Sequence, residues 1–160
     1  MPDGQDVALE SAELHQQLVS LYKGPIYLLQ SGRGFFDTMD LSLISTATVR
    51  TIGESADVTL DPLRFRSNIL IEAFDDALMP ENAWVAGLLI FGERDTSAAM
   101  CVNRKDVRCM ITNLDPVTSQ QTPTVLRTIV NHHAQCAGVY GSPERIGTIH
   151  VGDIIRLVKE

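Results

Sequence analysis

The stretch Asp106-Val107-Arg108-Cys109-Met110-Ile111-Thr112-Asn113-Leu114-Asp115-Pro116 places a cysteine directly after an arginine and ahead of a short apolar run that ends in Asp-Pro. A thiol acts as a nucleophile or metal ligand in its thiolate form, and a neighbouring guanidinium favours that form at a partly open site. A free cysteine is also among the most commonly buried residue types. The local order therefore leaves two interpretations of Cys109, a structural residue of a strand and a reactive thiol.

The composition of the 160-residue chain is that of a globular protein, with 44% hydrophobic and 21% charged residues. A chain of this length can form one hydrophobic core, so we predict a single domain over residues 1–160. No apolar run approaches the roughly 20 residues that cross a bilayer, and the N-terminal residues form neither a basic nor an apolar leader. We therefore expect a cytoplasmic protein that does not enter a membrane.

Charge and cysteine content narrow the classes of partner. Thirteen basic and 20 acidic residues give a net charge of −7, which disfavours binding to nucleic acid or to an anionic membrane surface. The three cysteines are an odd number at irregular spacing, unlike a disulfide framework or paired zinc-binding CxxC motifs. This pattern favours reduced thiols in a reducing compartment.

The periodicity of apolar residues predicts short strands and two helices. A leading helix is predicted over residues 9–23 with Ser11 as its N-cap, and a second helix over Gln120–Ala134. Asn103–Asp106 is interpreted as a polar connection. The predicted strands are Ile26–Leu29, Leu41–Val49, Arg64–Ile71, Leu88–Phe91, Ala98–Val102 and two within Gly147–Val158 that are joined by a Gly152-Asp153 turn. Because no βαβ pattern repeats, this order favours a mainly β, barrel-like domain with about two peripheral helices.

Two of the predicted strands carry groups that suit an anion. Ser45 and Thr46 offer hydroxyls on the solvent-facing side of the predicted strand Leu41–Val49. In the next strand, period 2 directs Arg64, Arg66 and Asn68 to one face, where the planar guanidinium groups match phosphate oxygens. A solvated strand face with nearby acidic partners is the alternative interpretation.

Four segments of the chain, spread over residues 40–158, resemble the MOSC domain, a family named for the C-terminal domain of molybdenum cofactor sulfurases. They are the hydroxyl-bearing Leu43–Thr48, the Arg-Phe-Arg element Arg64–Ile69, the Arg-Cys to Asp-Pro segment Arg108–Pro116, and Gly138–Tyr140 together with Gly147-Thr148-Ile149-His150-Val151-Gly152-Asp153. The resemblance implies a fold like the β-barrel domain of pyruvate kinase and binding of the molybdenum cofactor, Mo-molybdopterin. The family is also associated with pyridoxal phosphate binding.

The resemblance assigns candidate roles to individual residues. Cys109 would be the catalytic residue and the thiolate ligand of molybdenum, and a soft thiolate suits such a metal. The other residues that the resemblance places at the cofactor are Ser45, Thr46, Arg64, Arg66, Asn68, Arg108 and Asn113. Asp115-Pro116 is expected to have a structural task, because proline favours an extended residue before it.

Three functions remain open at this point. The first is a molybdenum-dependent oxidoreductase that reduces N-hydroxylated compounds with electrons from an external electron-transfer protein, since the cofactor supplies the redox chemistry. The second is a module that binds or carries the cofactor without turnover. The third is a sulfur carrier with a persulfide on Cys109.

Overall fold

The computed structural model describes residues 4–32, 38–74 and 77–159, and the contacts between residues divide the chain into two compact units, 1–37 and 38–160. In the first unit, helix α1 (Ala12–Tyr22) begins at Ser11, whose Oγ accepts a hydrogen bond from the Leu14 N–H at 3.2 Å. The leading helix and its N-cap are therefore confirmed. Residues 24–30 contain no regular structure, so the strand predicted at Ile26–Leu29 is wrong.

The second unit is a six-stranded, curled, half-barrel sheet flanked by two helices. The strands lie in the order β2-β1-β5-β4-β3-β6, with β1 and β2 parallel and the other neighbours antiparallel. This mainly β, barrel-like fold confirms the predicted fold class. The bounds are β1 Leu41–Ser45, α2 Thr46–Ala56, β2 Ile69–Ile71, β3 Leu88–Phe91, β4 Ala99–Val107, α3 Thr124–His132, β5 Cys136–Arg145 and β6 Ile155–Val158, with 3-10 helices at Pro62–Phe65, Pro80–Trp84 and Met110–Asn113.

Two apolar cores lie on opposite faces of the sheet. Successive strand residues point to opposite faces, so Leu43 of β1 belongs to one core and its neighbour Ile44 to the other. The second core also contains Ile52 of α2, Ile129 of α3 and Phe65. The helices thus cover the face on which the Arg-Phe-Arg element packs. Of the helices in the described ranges, none combines the length and the apolar character that crossing a membrane requires.

The chain from residue 41 to 49 does not continue as one strand. Strand β1 ends at Ser45, which is the N-cap of α2 and accepts a hydrogen bond at Oγ from the Thr48 N–H at 3.0 Å. Alternating apolar and hydroxyl residues fit a strand, but Val49 and Ile52 also have helical spacing and both are buried. The part of the chain that the structure describes therefore contains three α-helices instead of the two predicted.

The Arg-Phe-Arg element is also not a strand, so its three polar side chains do not share one face. Asp61 caps a 3-10 helix over Pro62–Phe65 by accepting the Leu63 N–H at 2.9 Å, and Arg66 ends this helix in the left-handed region with φ 53°. Arg64 is buried, whereas Arg66 is exposed. The Asp-Pro pair at positions 61–62 is the N-cap and first-turn signal that identifies this short helix.

Other differences from the predictions concern element ends. Strand β4 extends through the polar segment Asn103–Asp106, which is not a connection. Only β6 forms within Gly147–Val158, where His150 donates its backbone N–H to Asp153 Oδ2 at 2.7 Å in the preceding turn. The second predicted helix is confirmed as α3, and the strand at Leu88–Phe91 is confirmed as β3.

Candidate functional site

Cys109 presents an exposed thiol at the end of a strand. It follows β4 and stands at the N-cap position of the 3-10 helix Met110–Asn113, with no hydrogen bond from its side chain to that helix. Its carbonyl oxygen accepts from both the N–H and the hydroxyl of Thr112, at 3.2 and 2.9 Å. The backbone around the sulfur is therefore fixed while the sulfur itself is open to solvent.

The other two cysteines differ from Cys109 in exposure. Cys101 and Cys136 are partly buried, and all three thiols are free. The Cys101 thiol lies 3.5 Å from Glu144 Oε2, and burial together with this carboxylate raises its pKa. A thiol whose protonated form is favoured is a poor metal ligand. Cys101 is therefore interpreted as structural.

Arg108, the residue before Cys109, is buried and binds the backbone of two other segments. Its Nε donates to Ala137 O on β5 at 2.7 Å, its Nη1 donates to Phe65 O at 2.7 Å, and its Nη2 lies 3.3 Å from Ser67 Oγ. The guanidinium also lies 5.5 Å from the centroid of the Phe65 ring. Most of the N–H donors of Arg108 are therefore used in hydrogen bonds within the protein.

Arg64 in turn binds the segment that contains Cys109. Its Nη1 donates to Asn113 O at 2.8 Å, and its Nη2 lies 3.3 Å from Asp115 Oδ2. Asp115 Oδ1 in turn accepts from the N–H of Val117 and from the N–H and hydroxyl of Thr118. Asp115 therefore fixes the loop after the 3-10 helix.

Arg66 and Asn68 lie on the turn between the first 3-10 helix and β2. Arg66 is exposed and makes no side-chain hydrogen bond or ion pair with any residue the structure describes. Asn68 Oδ1 accepts from the Ser42 N–H at 2.8 Å and thereby binds the turn to β1. Of these two predicted cofactor contacts, Asn68 uses its side chain in a hydrogen bond, whereas the Arg66 guanidinium makes no such contact with a described residue.

Asp106 is a buried carboxylate next to Arg108, with 1% of its surface exposed. Arg108 Nη2 lies 2.8 Å from Asp106 Oδ2 in an ion pair, and the Tyr140 hydroxyl also acts on the carboxylate as a hydrogen-bond donor. Burial raises the pKa of the Asp106 carboxyl to about 6, although Arg108, the Tyr140 hydroxyl and Arg104 act in the opposite direction. Burial, followed by the charge of Asp106, raises the pKa of Tyr140.

This raised pKa predicts an unusual pH dependence of stability. Because the folded state binds the Asp106 proton more tightly than the unfolded state, this residue stabilises the fold at low pH and loses that contribution as pH rises through about 6. The free energy of unfolding of wild type minus that of Asp106→Asn should therefore increase by about 2 kcal/mol from pH 7 to pH 4. Urea unfolding at several pH values measures this difference.

Asp115 provides the control of opposite sign. Hydrogen bonds from Thr118, and the charge of Arg64, lower the pKa of Asp115. The corresponding difference for Asp115→Asn should therefore decrease as pH falls, because the stabilisation is lost when the carboxylate becomes protonated. Equal pH trends for the two variants would contradict the burial of an ionised Asp106.

Ser45 and its neighbours form a second buried polar cluster, at the junction of β1 and α2. Glu81 is fully buried and accepts from the Ser45 N–H at 3.1 Å and from the Ser45 hydroxyl at 2.7 Å. Its charge also acts on the pKa of Arg108. Thr46, the next residue, instead lines a cavity of about 350 Å³ between α2 and the segment 58–62. Ser45 and Thr46, the two predicted hydroxyl contacts, therefore lie in different environments.

Ser45→Ala should cost more than loss of an ordinary helix cap. It removes the N-cap of α2 and leaves Glu81 without its hydroxyl donor, so we expect a loss of about 2–3 kcal/mol in the free energy of unfolding. Asp61→Ala removes an exposed cap alone and should cost about 0.5–1 kcal/mol. Denaturant titrations of both variants test the comparison, and equal costs would show that the Glu81 contact contributes nothing.

The structure thus brings several predicted site residues together around Cys109 and separates others. Arg64, Arg66, Arg108 and Asn113 belong to the two segments that pack beside the thiol. The side chain of Asn113 accepts the Leu126 N–H at 2.9 Å and therefore binds α3. Within the described residues, no group of three or more His, Cys, Asp or Glu side chains is arranged to bind a metal ion.

Sequence reasoning missed three residues of this region. Asp106 falls in the segment interpreted as a polar connection, Tyr140 belongs only to a motif, and no role is predicted for Glu81. No local signal identifies Glu81 as buried, because its partner Ser45 comes from tertiary packing. The extended β4 would have indicated an inward side chain at Asp106, since alternate strand residues share a face.

The family model that matches the chain is that of the MOSC domain, over residues 32–156. No curated protein is similar in sequence. Among solved structures, the YuaD protein from Bacillus subtilis has a similar fold, with a TM-score of 0.59 and 19% sequence identity. The similarity covers 77% of this chain and 65% of that chain, so the match spans slightly less than two thirds of the length of YuaD.

Proposed function

The chain belongs to the MOSC domain family, and we propose that it binds the molybdenum cofactor with Cys109 as the thiolate ligand of the metal. The observation that supports this most directly is the exposed Cys109 thiol on a loop whose backbone is fixed. A preorganised soft donor is what a molybdenum centre requires of a protein. The neighbouring Arg108 adds a buried positive charge.

The residues around Cys109 fit the anionic part of the cofactor as well as its metal. A phosphate group needs local cations, which a protein of net charge −7 must concentrate in one place. Arg66 is exposed on the adjacent turn without an ion pair to any residue in the described ranges, and Arg104 is exposed beside Tyr140, 5.8 Å from its ring centroid. These two side chains could contact an anion without losing an existing ion pair.

When bound, the cofactor supplies two-electron redox chemistry, for which we propose N-hydroxylated compounds as substrates and an external electron-transfer protein as donor. The chain's own contribution is to bind the metal through Cys109 and to orient the cofactor. A cofactor carrier without turnover uses the same contacts. Reduction of a hydroxylamine-type compound by the loaded protein and an artificial electron donor distinguishes an enzyme from a carrier.

The test is metal analysis of the protein produced together with the enzymes of cofactor biosynthesis. We expect about one molybdenum per chain after purification without oxygen, and an X-ray absorption spectrum with a sulfur ligand contributed by the protein. Sulfane sulfur on Cys109 without molybdenum would instead establish the sulfur carrier. Absence of both molybdenum and sulfane sulfur would contradict cofactor binding and sulfur transfer alike.

A further inference from the structure

Gln135 contacts both backbone polar groups of the residue that precedes Cys109. The ladder between β4 and β5 ends at the pair of Val107 and Cys136. One residue further, the Arg108 N–H donates to Gln135 O at 2.8 Å, and the Gln135 side chain donates from Nε2 to Arg108 O at 3.1 Å. A side chain thus extends the ladder as far as the peptide that joins Arg108 to Cys109.

The backbone of Gln135 is left-handed, with φ 62°, and so is that of the preceding Ala134, with φ 50°. Glycine adopts such a conformation freely, whereas a residue with a Cβ is strained in it. Helix α3 imposes the turn, because Ile129 O accepts the N–H groups of both His133 and Gln135, at 3.0 and 3.1 Å. Strain of this kind at a residue whose side chain makes a contact that glycine could not make points to a functional role.

The hydrogen bond from Gln135 to Arg108 O acts locally. Gln135 is exposed, and a hydrogen bond that water can replace contributes little to the free energy of unfolding. The carbonyl that accepts this bond belongs to the same peptide unit as the Cys109 N–H. Because a peptide unit is planar and turns as one body, a fixed Arg108 O also fixes the direction in which the chain enters Cys109.

The peptide that follows Cys109 is fixed as well. Cys109 O accepts from the N–H of Thr112 at 3.2 Å and from the Thr112 hydroxyl at 2.9 Å. The carbonyl groups on both sides of the Cys109 Cα therefore have partners. Thr112 belongs to the 3-10 helix that Cys109 itself begins, whereas Gln135 ties the strand end to the turn between α3 and β5.

We propose that Gln135 is a positioning residue for Cys109, which acts through the Arg108 backbone and fixes the peptide that precedes the thiol. With both flanking peptides fixed, the sulfur keeps only the rotation about its own Cα–Cβ bond. That the positioned sulfur binds molybdenum rests on the proposed function. The positioning itself needs no cofactor, so the two statements can be tested separately.

Three substitutions separate the side-chain contact from the backbone strain. Gln135→Glu keeps the shape and the strain but replaces the donor by an acceptor at pH 7. Gln135→Gly removes both the donor and the strain. Ala134→Gly is the matched control, since it relieves the neighbouring strain and leaves the Gln135 side chain in place. If the contact positions Cys109, the two Gln135 variants behave alike and Ala134→Gly behaves like wild type.

The first measurement is amide hydrogen exchange, followed by NMR on the protein without cofactor. The Thr112 N–H reports on Cys109, because its acceptor is Cys109 O. We expect it to exchange about tenfold faster in Gln135→Glu and Gln135→Gly than in wild type, and at the wild-type rate in Ala134→Gly. The urea midpoint of Gln135→Gly should stay close to that of wild type, because relief of strain offsets the loss of an exposed hydrogen bond.

The second measurement is the rate at which the loaded protein loses molybdenum during dialysis without oxygen. Loss of a supporting contact around a metal ligand lowers metal affinity about 10- to 100-fold. We expect both Gln135 variants to lose the metal about tenfold faster than wild type, near the lower end of that range, and Ala134→Gly to match wild type. Faster metal loss at unchanged urea stability is a result that a residue with a general structural role would not give.

The proposal is overturned if either Gln135 variant keeps the wild-type exchange rate of Thr112. It is also overturned if both variants exchange faster but lose molybdenum at the wild-type rate. If wild type itself binds no molybdenum, the proposed function is rejected, and the exchange rates then decide whether Gln135 fixes Cys109.

Discussion

Cys109→Ala is expected to remove almost all molybdenum from the protein purified after production with the cofactor biosynthesis enzymes. The substitution deletes the proposed metal-binding atom and should leave the fold unchanged, because this side chain is exposed and forms no hydrogen bond to the 3-10 helix after it. Loss of an outer-shell partner alone lowers metal affinity about 10- to 100-fold. Loss of the ligand itself should cost at least as much.

Cys101→Ala and Cys136→Ala are the matched controls, because each deletes one partly buried thiol of the same chain. Both variants should retain the wild-type ratio of molybdenum to protein, measured by mass spectrometry of the metal. The protein-derived sulfur signal in X-ray absorption should disappear only with Cys109. Equal molybdenum content in Cys109→Ala and wild type would contradict its assignment as the ligand.

Gly138→Ala is expected to destabilise the second unit by about 3–5 kcal/mol, because it combines backbone strain with overpacking. Gly138 lies on β5 with φ +80°, and a Cβ built there would lie 2.6 Å from Leu43 O and 3.1 Å from Arg108 Nη2. Neither neighbour moves freely, since Leu43 is part of the sheet core and Arg108 has four protein contacts. The substitution therefore disturbs the buried Arg108 side chain directly.

Gly152→Ala separates the two sources of this cost. Gly152 has a similar φ of +95°, but no atom lies within 4 Å of its ideal Cβ position. Its replacement should cost only about 1–2 kcal/mol, from backbone strain alone. Urea unfolding of both variants gives the comparison, and a Gly138→Ala loss no larger than that of Gly152→Ala would show that the packing against Arg108 is loose.

The proposed site combines a buried arginine with an exposed one in an acidic protein. Arg108 uses its donors to join β4, β5 and the 62–68 turn. Arg66 lies exposed on that turn and makes no ion pair with a residue in the described ranges. A site whose supporting groups are themselves fixed by hydrogen bonds can bind a ligand with little reorganisation.

The sequence by itself determined the fold class, the leading helix and α3. These features depend on local signals, such as the Ser11 cap and apolar spacing, or on motif order that survives without knowledge of contacts. The Arg-Phe-Arg element was located correctly but assigned the wrong conformation. Its Asp61-Pro62 start is a local signal for a short helix that outweighs the alternation of the following residues.

Only the tertiary structure decided which polar groups are buried and which are free. Period 2 gave Arg64 and Arg66 the same face, whereas packing of Phe65 into the second core buries Arg64 against Asn113 O and leaves Arg66 in solvent. The environment of Asp106 likewise depends on Tyr140 of β5. Such contacts join residues far apart in the chain, and their energies depend on burial, which no local pattern of residues specifies.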